Sequence, residues 1–203
     1  MDITQTTLLD AILQRRSIRQ FRPEPVAREV IELLLTAAIW APSAHNRQPW
    51  RFAVVQDAAR KSQLAQAMGA RLKSDLEADG MPAEMIAKDV GRSVERMTSA
   101  PVLILVCLSL VDMDVYPDPI RMHNEMMMAV QSTAMAGQNL LLAAHEAGLG
   151  ACWMCAPLFC PDVVRAALEL PDDWQPQGIV ALGYPAQERE KTRHPLEKSV
   201  LWR

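Results

Sequence analysis

Two short basic segments lie near opposite ends of the chain, and their chemistry suits the binding of a phosphate. The first is RRSIR at 15–19, where three arginines and a serine follow a predicted helix. The second contains Lys191 and Arg193, just after the last predicted strand. Arginine presents a planar fork of donors that matches phosphate oxygens, so we predict one anion site built from both segments. A solvated basic patch is the alternative interpretation of the same charges.

A polar loop, APSAHNRQPW at 41–50, lies between a predicted helix and a predicted strand. Its two prolines fix their own φ angles and keep the residues before them out of the helical region, which predicts an extended, rigid loop. The side chains of Ser43, Asn46 and Gln48 supply donors and acceptors that could meet the edge of a flat heterocycle. Capping of the preceding helix is the structural alternative for these polar groups.

Three of the four cysteines fall within nine residues of the segment GLGACWMCAPLFCP, residues 148–161. Cys152 and Cys155 have the CxxC spacing of redox and zinc sites, and Cys160 is a third possible ligand. No histidine follows at ligand spacing. We therefore predict no metal site and interpret these cysteines as small apolar residues packed beneath a ligand.

Several enzyme classes lack their motifs in this sequence. It contains no GxGxxG after a strand, no GxxxxGK[ST], no HExxH and no GxSxG. Its four histidines are scattered, so no catalytic acid, base or nucleophile is assigned. Two basic anchors and a polar loop without such a group are typical of a protein that binds a cofactor which carries the chemistry.

Composition limits the protein class and its partners. We expect the 203 residues, half of them hydrophobic, to form one domain over 1–203, and the net charge of −3 offers no general attraction to nucleic acid or to a membrane surface. The N-terminus MDITQTTLLD lacks the basic and apolar regions of an export signal, and the uncharged stretch 126–144 carries polar side chains that disfavour lipid. Together with the few cysteines, these features favour a cytoplasmic protein.

The elements that must position these residues follow from hydrophobic periodicity. Helices are predicted over 7–16, over 26–40, from the N-cap Asp57 toward Gly69, over 70–98 with a break near Gly80, over 122–147 with Gly148 as its cap, and over 161–168. Strands are predicted over 50–56, 101–110, 151–156 and 178–184. The strand at 101–110 is apolar on both faces and should be central. Without regular βαβ alternation, we predict an α+β domain with a central mixed, mainly antiparallel sheet flanked by helices.

The helix predicted over 122–147 carries apolar side chains around most of its circumference. A helix of this kind must be buried on nearly all sides, and a domain of this size has difficulty covering it alone. We therefore predict a homodimer with this helix near the interface.

The segments RRSIRQF, APSAHNRQPWRFAVV, AGLGACW, ALGYP and KTRHPLE occur in an order and spacing that resembles the nitroreductase family of flavin enzymes. The resemblance covers nearly the whole chain. It implies an α+β fold, an intertwined homodimer and two FMN sites, each built from both subunits at the interface.

By position, the resemblance also implies three groups of FMN contacts. The phosphate and ribityl side would be bound by Arg15, Arg16, Ser17, Arg19, Lys191 and Arg193. The loop that meets the flavin from the partner chain would contain Pro42, Ser43, Ala44, Asn46 and Gln48. The backbone-rich segment that faces the flavin ring would be Trp153, Met154, Cys155 and Ala156.

Within the family, PSAHNRQPWRF, AVQS, QNLLLAAHEAGLGACWMCAPLFCP and LGYPA are most similar to the C-terminal FMN domain of the bacterial coenzyme F-420 gamma-glutamyl ligase. That domain is linked to the reduction of a dehydro precursor of the coenzyme. No ligase half accompanies it in these 203 residues, so the resemblance implies either a reductase of that precursor or a relative with another substrate.

The implied reaction is ping-pong. A nicotinamide donor, NADH or NADPH, delivers a hydride to FMN and leaves before a small conjugated or aromatic acceptor collects the electrons. Two alternatives stay open from the sequence: an enzyme that consumes its own FMN to make dimethylbenzimidazole, and a flavin-binding protein without turnover.

Overall fold

The computed structural model describes residues 8–203, so the export-signal prediction for the N-terminus lies largely outside the described residues. The helices are α1 Leu8–Gln14, α2 Arg28–Ile39, α3 Ala58–Ala78, α4 Ala83–Thr98, α5 Pro119–Glu146 and α6 Pro161–Leu168. The strands are β1 Trp50–Val55, β2 Val102–Leu108, β3 Gly150–Met154 and β4 Gln175–Gly183. Short 3-10 turns span Ala44–Asn46, Ala156–Phe159 and Leu196–Lys198.

One four-stranded sheet, in the order β1-β2-β4-β3, forms the centre of the fold. The predicted central position of β2 is confirmed, since it pairs with β1 and β4 and all seven of its residues are buried. All three strand pairings are antiparallel. Among the described residues, the parallel part of the predicted mixed sheet is limited to an isolated bridge between Ser17 and Ala151. The predicted α+β class is confirmed.

Helices cover both faces of the sheet because alternate residues of each strand point to opposite sides. Ile104 and Val106 of β2 pack with α2 and α5 on one face. Leu103 and Leu105 pack with α3, α4 and α6 on the other. The free edge of β3 therefore lies between a face covered by α5 and a face covered by α3, α4 and α6.

The boundaries of α3 and α4 follow local signals. The carboxylate of Asp57 accepts a hydrogen bond from the Arg60 amide at 2.8 Å, which confirms the predicted N-cap. The two helical stretches predicted on either side of Gly69 form one helix that continues to Ala78, and Gly69 packs closely against the Val94 side chain of α4. The predicted break is found at Gly80, whose φ of 73° suits glycine.

Helix α5 begins earlier than predicted and ends where predicted. The carboxylate of Asp118 caps it by accepting from the Arg121 amide at 2.9 Å, so the helix starts at Pro119. Gly148, at a φ of 73°, follows its last turn. None of the helices in residues 8–203 combines the length and apolar character that a membrane crossing needs.

One face of α5 stays exposed in the single chain, so the prediction of burial on nearly all sides is not met within one subunit. Met127 and Met135 retain 43% and 39% of their surface, and Gln131 and Ala134 between them are also exposed. The sheet and α2 cover only the opposite face, which carries Leu140 and the other buried residues. The exposed stripe leaves room for the partner that the sequence predicts.

Candidate functional site

The first basic segment is fixed along the free edge of β3. The Ile18 amide donates to the Ala151 carbonyl at 3.0 Å, and Ser17 forms the parallel bridge with the same residue. This close approach needs a glycine at position 150, because a Cβ atom there would lie 2.8 Å from the Cβ of Ile18. The backbone of RRSIR is therefore held rigidly beside the sheet.

The second basic segment returns to the same place after β4. Phe21 pairs with Pro185, and the Ala186 amide donates to the Gln20 carbonyl at 3.0 Å. A cavity of about 210 Å³ lies where the two segments meet. Its lining residues are Arg15, Arg16, Ser17, Arg19, Arg189, Lys191 and Arg193. We call it the basic cavity; it brings together all six residues predicted near the phosphate and adds Arg189, which the sequence analysis missed.

The charges of the basic cavity repel one another. Burial lowers the pKa of Arg15, and the neighbouring Arg193 and Arg16 lower it further. No carboxylate lines the cavity. Like charges at close range without a counter-charge are unfavourable, and a bound dianion would remove that repulsion. The cavity is therefore suited to bind a phosphate group.

A wider cavity of about 450 Å³ adjoins the basic cavity on the α5 side and shares Arg15, Arg16 and Arg189 with it. His145, at the end of α5, lines this space. Burial lowers the pKa of His145, Arg15 and Arg16 add to the effect, and Glu146 opposes it. The positive field of the arginines thus extends into this second space.

The loop that precedes β1 is strained and anchored. The sequence analysis predicted an extended loop. That prediction is wrong for part of the loop, because Ala44–Asn46 forms a 3-10 turn. His45, Asn46 and Gln48 have φ values of 50°, 53° and 50°, a region that non-glycine residues seldom occupy. Strain of this kind persists only where the surroundings impose it, and it is frequent at ligand sites.

Two serine hydroxyls hold the loop in place. The Gln48 amide donates to the hydroxyl of Ser43 at 3.1 Å, and the Ala44 amide donates to the hydroxyl of Ser132 on α5 at 3.3 Å. Arg47 forms an ion pair with Asp114. Within the loop, Pro42, Asn46 and Gln48 are exposed, and Ser43 and Ala44 are partly exposed.

Within one chain the loop and the basic cavity are separate. The residues that line the basic cavity and the wider cavity come from the edge of β3, the end of α5 and the two basic segments, and include none from 42–48. The loop instead packs beside the N-terminal half of α5, through Ser132. Neither cavity is therefore lined by the loop of the same chain.

The predicted ring-facing segment lies at the end of β3. The indole of Trp153 fills the space of two missing side chains, since a Cβ at Gly137 would overlap it and a Cβ at Gly178 would lie 2.6 Å from its ring. Its Nε1 donates to the sulfur of Cys155 at 3.1 Å. Trp153 and Met154 are half-buried, whereas Cys155 and Ala156 are exposed. The segment therefore offers its exposed residues at the strand end, while the indole is part of the packing.

Gly137→Ala should destabilise the protein, because the added methyl group overlaps the Trp153 ring between α5 and the sheet. Overpacking of this kind costs about 1–3 kcal/mol. Urea denaturation should show the loss in the free energy of unfolding. Gly91→Ala is the matched control, since a Cβ there meets nothing within 4 Å and alanine favours a helix. Equal unfolding midpoints for the two variants would contradict this packing.

The cysteines form no disulfide in this structure. All four cysteines are free, and only Cys155 is exposed. Burial raises the pKa of Cys152 despite nearby arginines, which disfavours its thiolate. Residues 8–203 contain no group of acidic, histidine or cysteine side chains arranged to hold a metal ion.

The arginines of α4 were missed by sequence reasoning. Arg92 and Arg96 line a further cavity with Arg19 and Arg189. Their spacing of four residues places both on one face of a helix, which is a usable signal. Which face meets the first basic segment depends on the tertiary structure, however.

Comparison with known proteins gives a consistent assignment. Residues 12–184 match the family model described as the nitroreductase family. An NADH dehydrogenase of Thermus thermophilus is 33% identical, over 95% of this chain and 94% of its own length. A 5,6-dimethylbenzimidazole synthase of Rhodospirillum rubrum is 31% identical, over 93% of this chain and 84% of its own length.

Among solved structures, a candidate nitroreductase from Desulfovibrio desulfuricans, crystallised in complex with FMN, has the same fold. It is 32% identical to this chain, each chain covers 98% of the other, and the TM-score is 0.75.

Proposed function

This chain belongs to the nitroreductase family, and we propose that it is an FMN-dependent oxidoreductase that transfers electrons from NADH or NADPH to a small conjugated or aromatic acceptor. The family membership supports the general activity of a flavin oxidoreductase. The assignment of individual residues, the homodimer and the acceptor class are parts of the proposal.

The observation that carries the proposal is the basic cavity. Its six cationic side chains and the Ser17 hydroxyl come from two segments that the fold holds against one strand edge. FMN ends in a phosphate, and arginine and lysine side chains bind such a group by charge-assisted hydrogen bonds. No carboxylate lines the cavity, and its arginines repel one another, so a phosphate would supply the missing negative charge. We assign Arg15, Arg16, Ser17, Arg19, Lys191 and Arg193 to the phosphate and ribityl side, with Arg189 as an addition.

The protein itself supplies binding, orientation and exclusion of water, whereas bound FMN supplies the hydride chemistry. The exposed residues Cys155 and Ala156, at the end of β3, are assigned to the ring face, and Trp153 and Met154 hold that strand end in place. The nearby arginines favour negative charge on a bound ligand. No side chain of this site is assigned as an acid, base or nucleophile.

The second subunit completes the proposed site. The strained loop would meet the ring through Pro42, Ser43, Ala44, Asn46 and Gln48 of the partner chain. Its separation from the basic cavity within one chain, and the exposed stripe on α5, support this arrangement. Because the loop is anchored to α5 through Ser132, an interface along α5 would position it.

The dehydro precursor of coenzyme F-420 is our proposed acceptor to test first, on the strength of the sequence resemblance. The experiment is stopped-flow mixing of the photoreduced holoprotein with the precursor, with menadione as a reference acceptor. Reoxidation of the bound flavin by the precursor at a rate comparable to menadione supports the assignment. Reoxidation by menadione alone rejects this acceptor and leaves the oxidoreductase intact.

The similarity to a dimethylbenzimidazole synthase supports a second candidate, in which bound FMN is consumed with oxygen. Aerobic incubation of the reduced holoprotein, followed by chromatography, separates the two. Stoichiometric loss of FMN with formation of dimethylbenzimidazole favours the second candidate. Catalytic NAD(P)H consumption with intact FMN favours the first, and it also excludes a flavin-binding protein without turnover.

A further inference from the structure

A second arginine-lined cavity lies beside the basic cavity, on the side of the sheet that α4 covers. It has a volume of about 380 Å³. Its lining residues are Arg19, Gln20, Phe21, Arg92, Glu95, Arg96, Ser99 and Arg189. We call it the α4 cavity. It shares Arg19 and Arg189 with the basic cavity, so the two cavities adjoin.

The positive charge of the α4 cavity is poorly neutralised. Arg96 is half-buried, and its guanidinium makes no hydrogen bond or ion pair with any residue that the structure describes. Burial lowers its pKa, and so do Arg19, Arg92 and Arg189. Two acidic groups are nearby: Glu95 lines the cavity but is exposed to solvent, and Asp89 already forms an ion pair with Arg92 at 2.6 Å. An unpaired, half-buried guanidinium is costly unless an anion neutralises it.

The character of the lining indicates more than a bare ion. The ring of Phe21 supplies apolar surface, and Gln20 and Ser99 supply neutral hydrogen-bonding groups beside the arginines. Such a mixture suits an anionic group that is attached to an organic molecule. A phosphate is the group that best matches several convergent arginine forks.

We propose that the α4 cavity binds a phosphate group of the substrate that exchanges electrons with the cofactor. This rests on the proposed function, because FMN carries one phosphate and the basic cavity already accommodates it. The α4 cavity then remains for a second anion. Two sources have this chemistry: the 2′-phosphate of NADPH and a phosphate on the acceptor.

The first test measures binding directly. Pyrophosphate is titrated calorimetrically into protein saturated with FMN, for the wild type, Arg92→Gln, Arg96→Gln and the control Lys88→Gln. Lys88 is exposed one turn before Arg92 on the same helix and lines no cavity described above. We expect each arginine variant to bind pyrophosphate about 10- to 100-fold more weakly, as the loss of a charge-assisted hydrogen bond implies. The control should equal the wild type.

The second test identifies the source of the phosphate by steady-state kinetics. If the donor supplies it, Arg96→Gln raises KM for NADPH but not for NADH. If the acceptor supplies it, the same variant raises KM for free FMN as an acceptor but not for riboflavin. Equal changes within both pairs would overturn the proposal.

Further outcomes separate this inference from the proposed function. Unchanged pyrophosphate affinity in both arginine variants overturns the inference and leaves the function intact. Loss of bound FMN in the well-exposed Arg92→Gln variant, with an unchanged melting temperature, also overturns it, because the α4 cavity would then belong to the cofactor site. If the wild type retains no FMN, the proposed function fails, and pyrophosphate binding that depends on Arg96 but not on Arg15 still supports a separate anion site.

Discussion

FMN should bind about 10- to 100-fold more weakly after Arg15→Ala or Arg193→Ala, because each variant loses a charge-assisted hydrogen bond worth about 1.5–3 kcal/mol. Arg15 and Arg193 come from opposite ends of the chain and line the same cavity. The quenching of flavin fluorescence on titration measures the dissociation constant. The double variant should lose more than either single variant.

Riboflavin is the matched control ligand, because it lacks only the phosphate. Its affinity should be nearly the same for the wild type and for both variants. Arg28→Ala is the control variant, since that arginine is exposed on α2 and pairs with Glu32. FMN affinity that is unchanged in both Arg15→Ala and Arg193→Ala would refute the phosphate assignment. An equal loss of FMN and riboflavin would indicate misfolding instead, which a thermal melt detects.

A charge on the exposed stripe of α5 should dissociate the dimer. In Met135→Glu, a carboxylate would be buried without a partner at the proposed interface. An uncompensated buried charge costs about 3–5 kcal/mol. We expect the dimer dissociation constant to rise by at least about 100-fold. Sedimentation velocity at micromolar concentration should show a dimer for the wild type and a monomer for the variant. FMN should be lost with the dimer, because in the proposed arrangement the partner's loop completes the site.

Met85→Glu is the matched control for this experiment. Met85 is 50% exposed on α4, whereas Met135 is 39% exposed on α5, so both substitutions place a charge at a solvent-accessible methionine. The control should remain dimeric and retain FMN. A wild-type monomer, or an unaltered dimer in Met135→Glu, would exclude an interface along α5.

Sequence patterns predicted those elements whose cause is local. The run of residues 101–110, apolar on both alternations, identified β2, because a strand covered on both faces has apolar residues at every position. Helix α6 was predicted at its observed bounds, since Pro161 starts it. Asp57 and Gly148 mark helix ends through their own side-chain and backbone chemistry. Each of these signals acts within a few residues.

Features that depend on distant contacts were not predictable in this way. The close packing of Gly69 in α3 against Val94 of α4 joins residues that lie far apart in the sequence. His45 and Asn46 have left-handed backbone conformations in a loop that is anchored to α5. Neither residue type requires a positive φ, so the sequence alone does not predict this conformation. Likewise, Arg96 approaches Arg19 only through the packing of α4 beside the edge of the sheet.

Some features of the candidate site were also predictable from local sequence, and others only from the tertiary structure. The two basic segments were recognisable from composition and spacing, and the structure places both at one cavity. Arg189 was missed although it lies two residues before Lys191, because only the tertiary structure shows that it lines both the basic cavity and the α4 cavity. The exposed face of α5 is visible only when the packing of α2 and the sheet is known.

The visible absorption spectrum of the purified protein tests the central claim most directly, before and after incubation with FMN and removal of the excess. We predict a flavin band that stays with the protein at a stoichiometry of one FMN for each chain, and that is bleached by NADH or NADPH under anaerobic conditions. A protein that retains no flavin, at a concentration where it is folded, would contradict the assignment of the basic cavity and with it the proposed oxidoreductase.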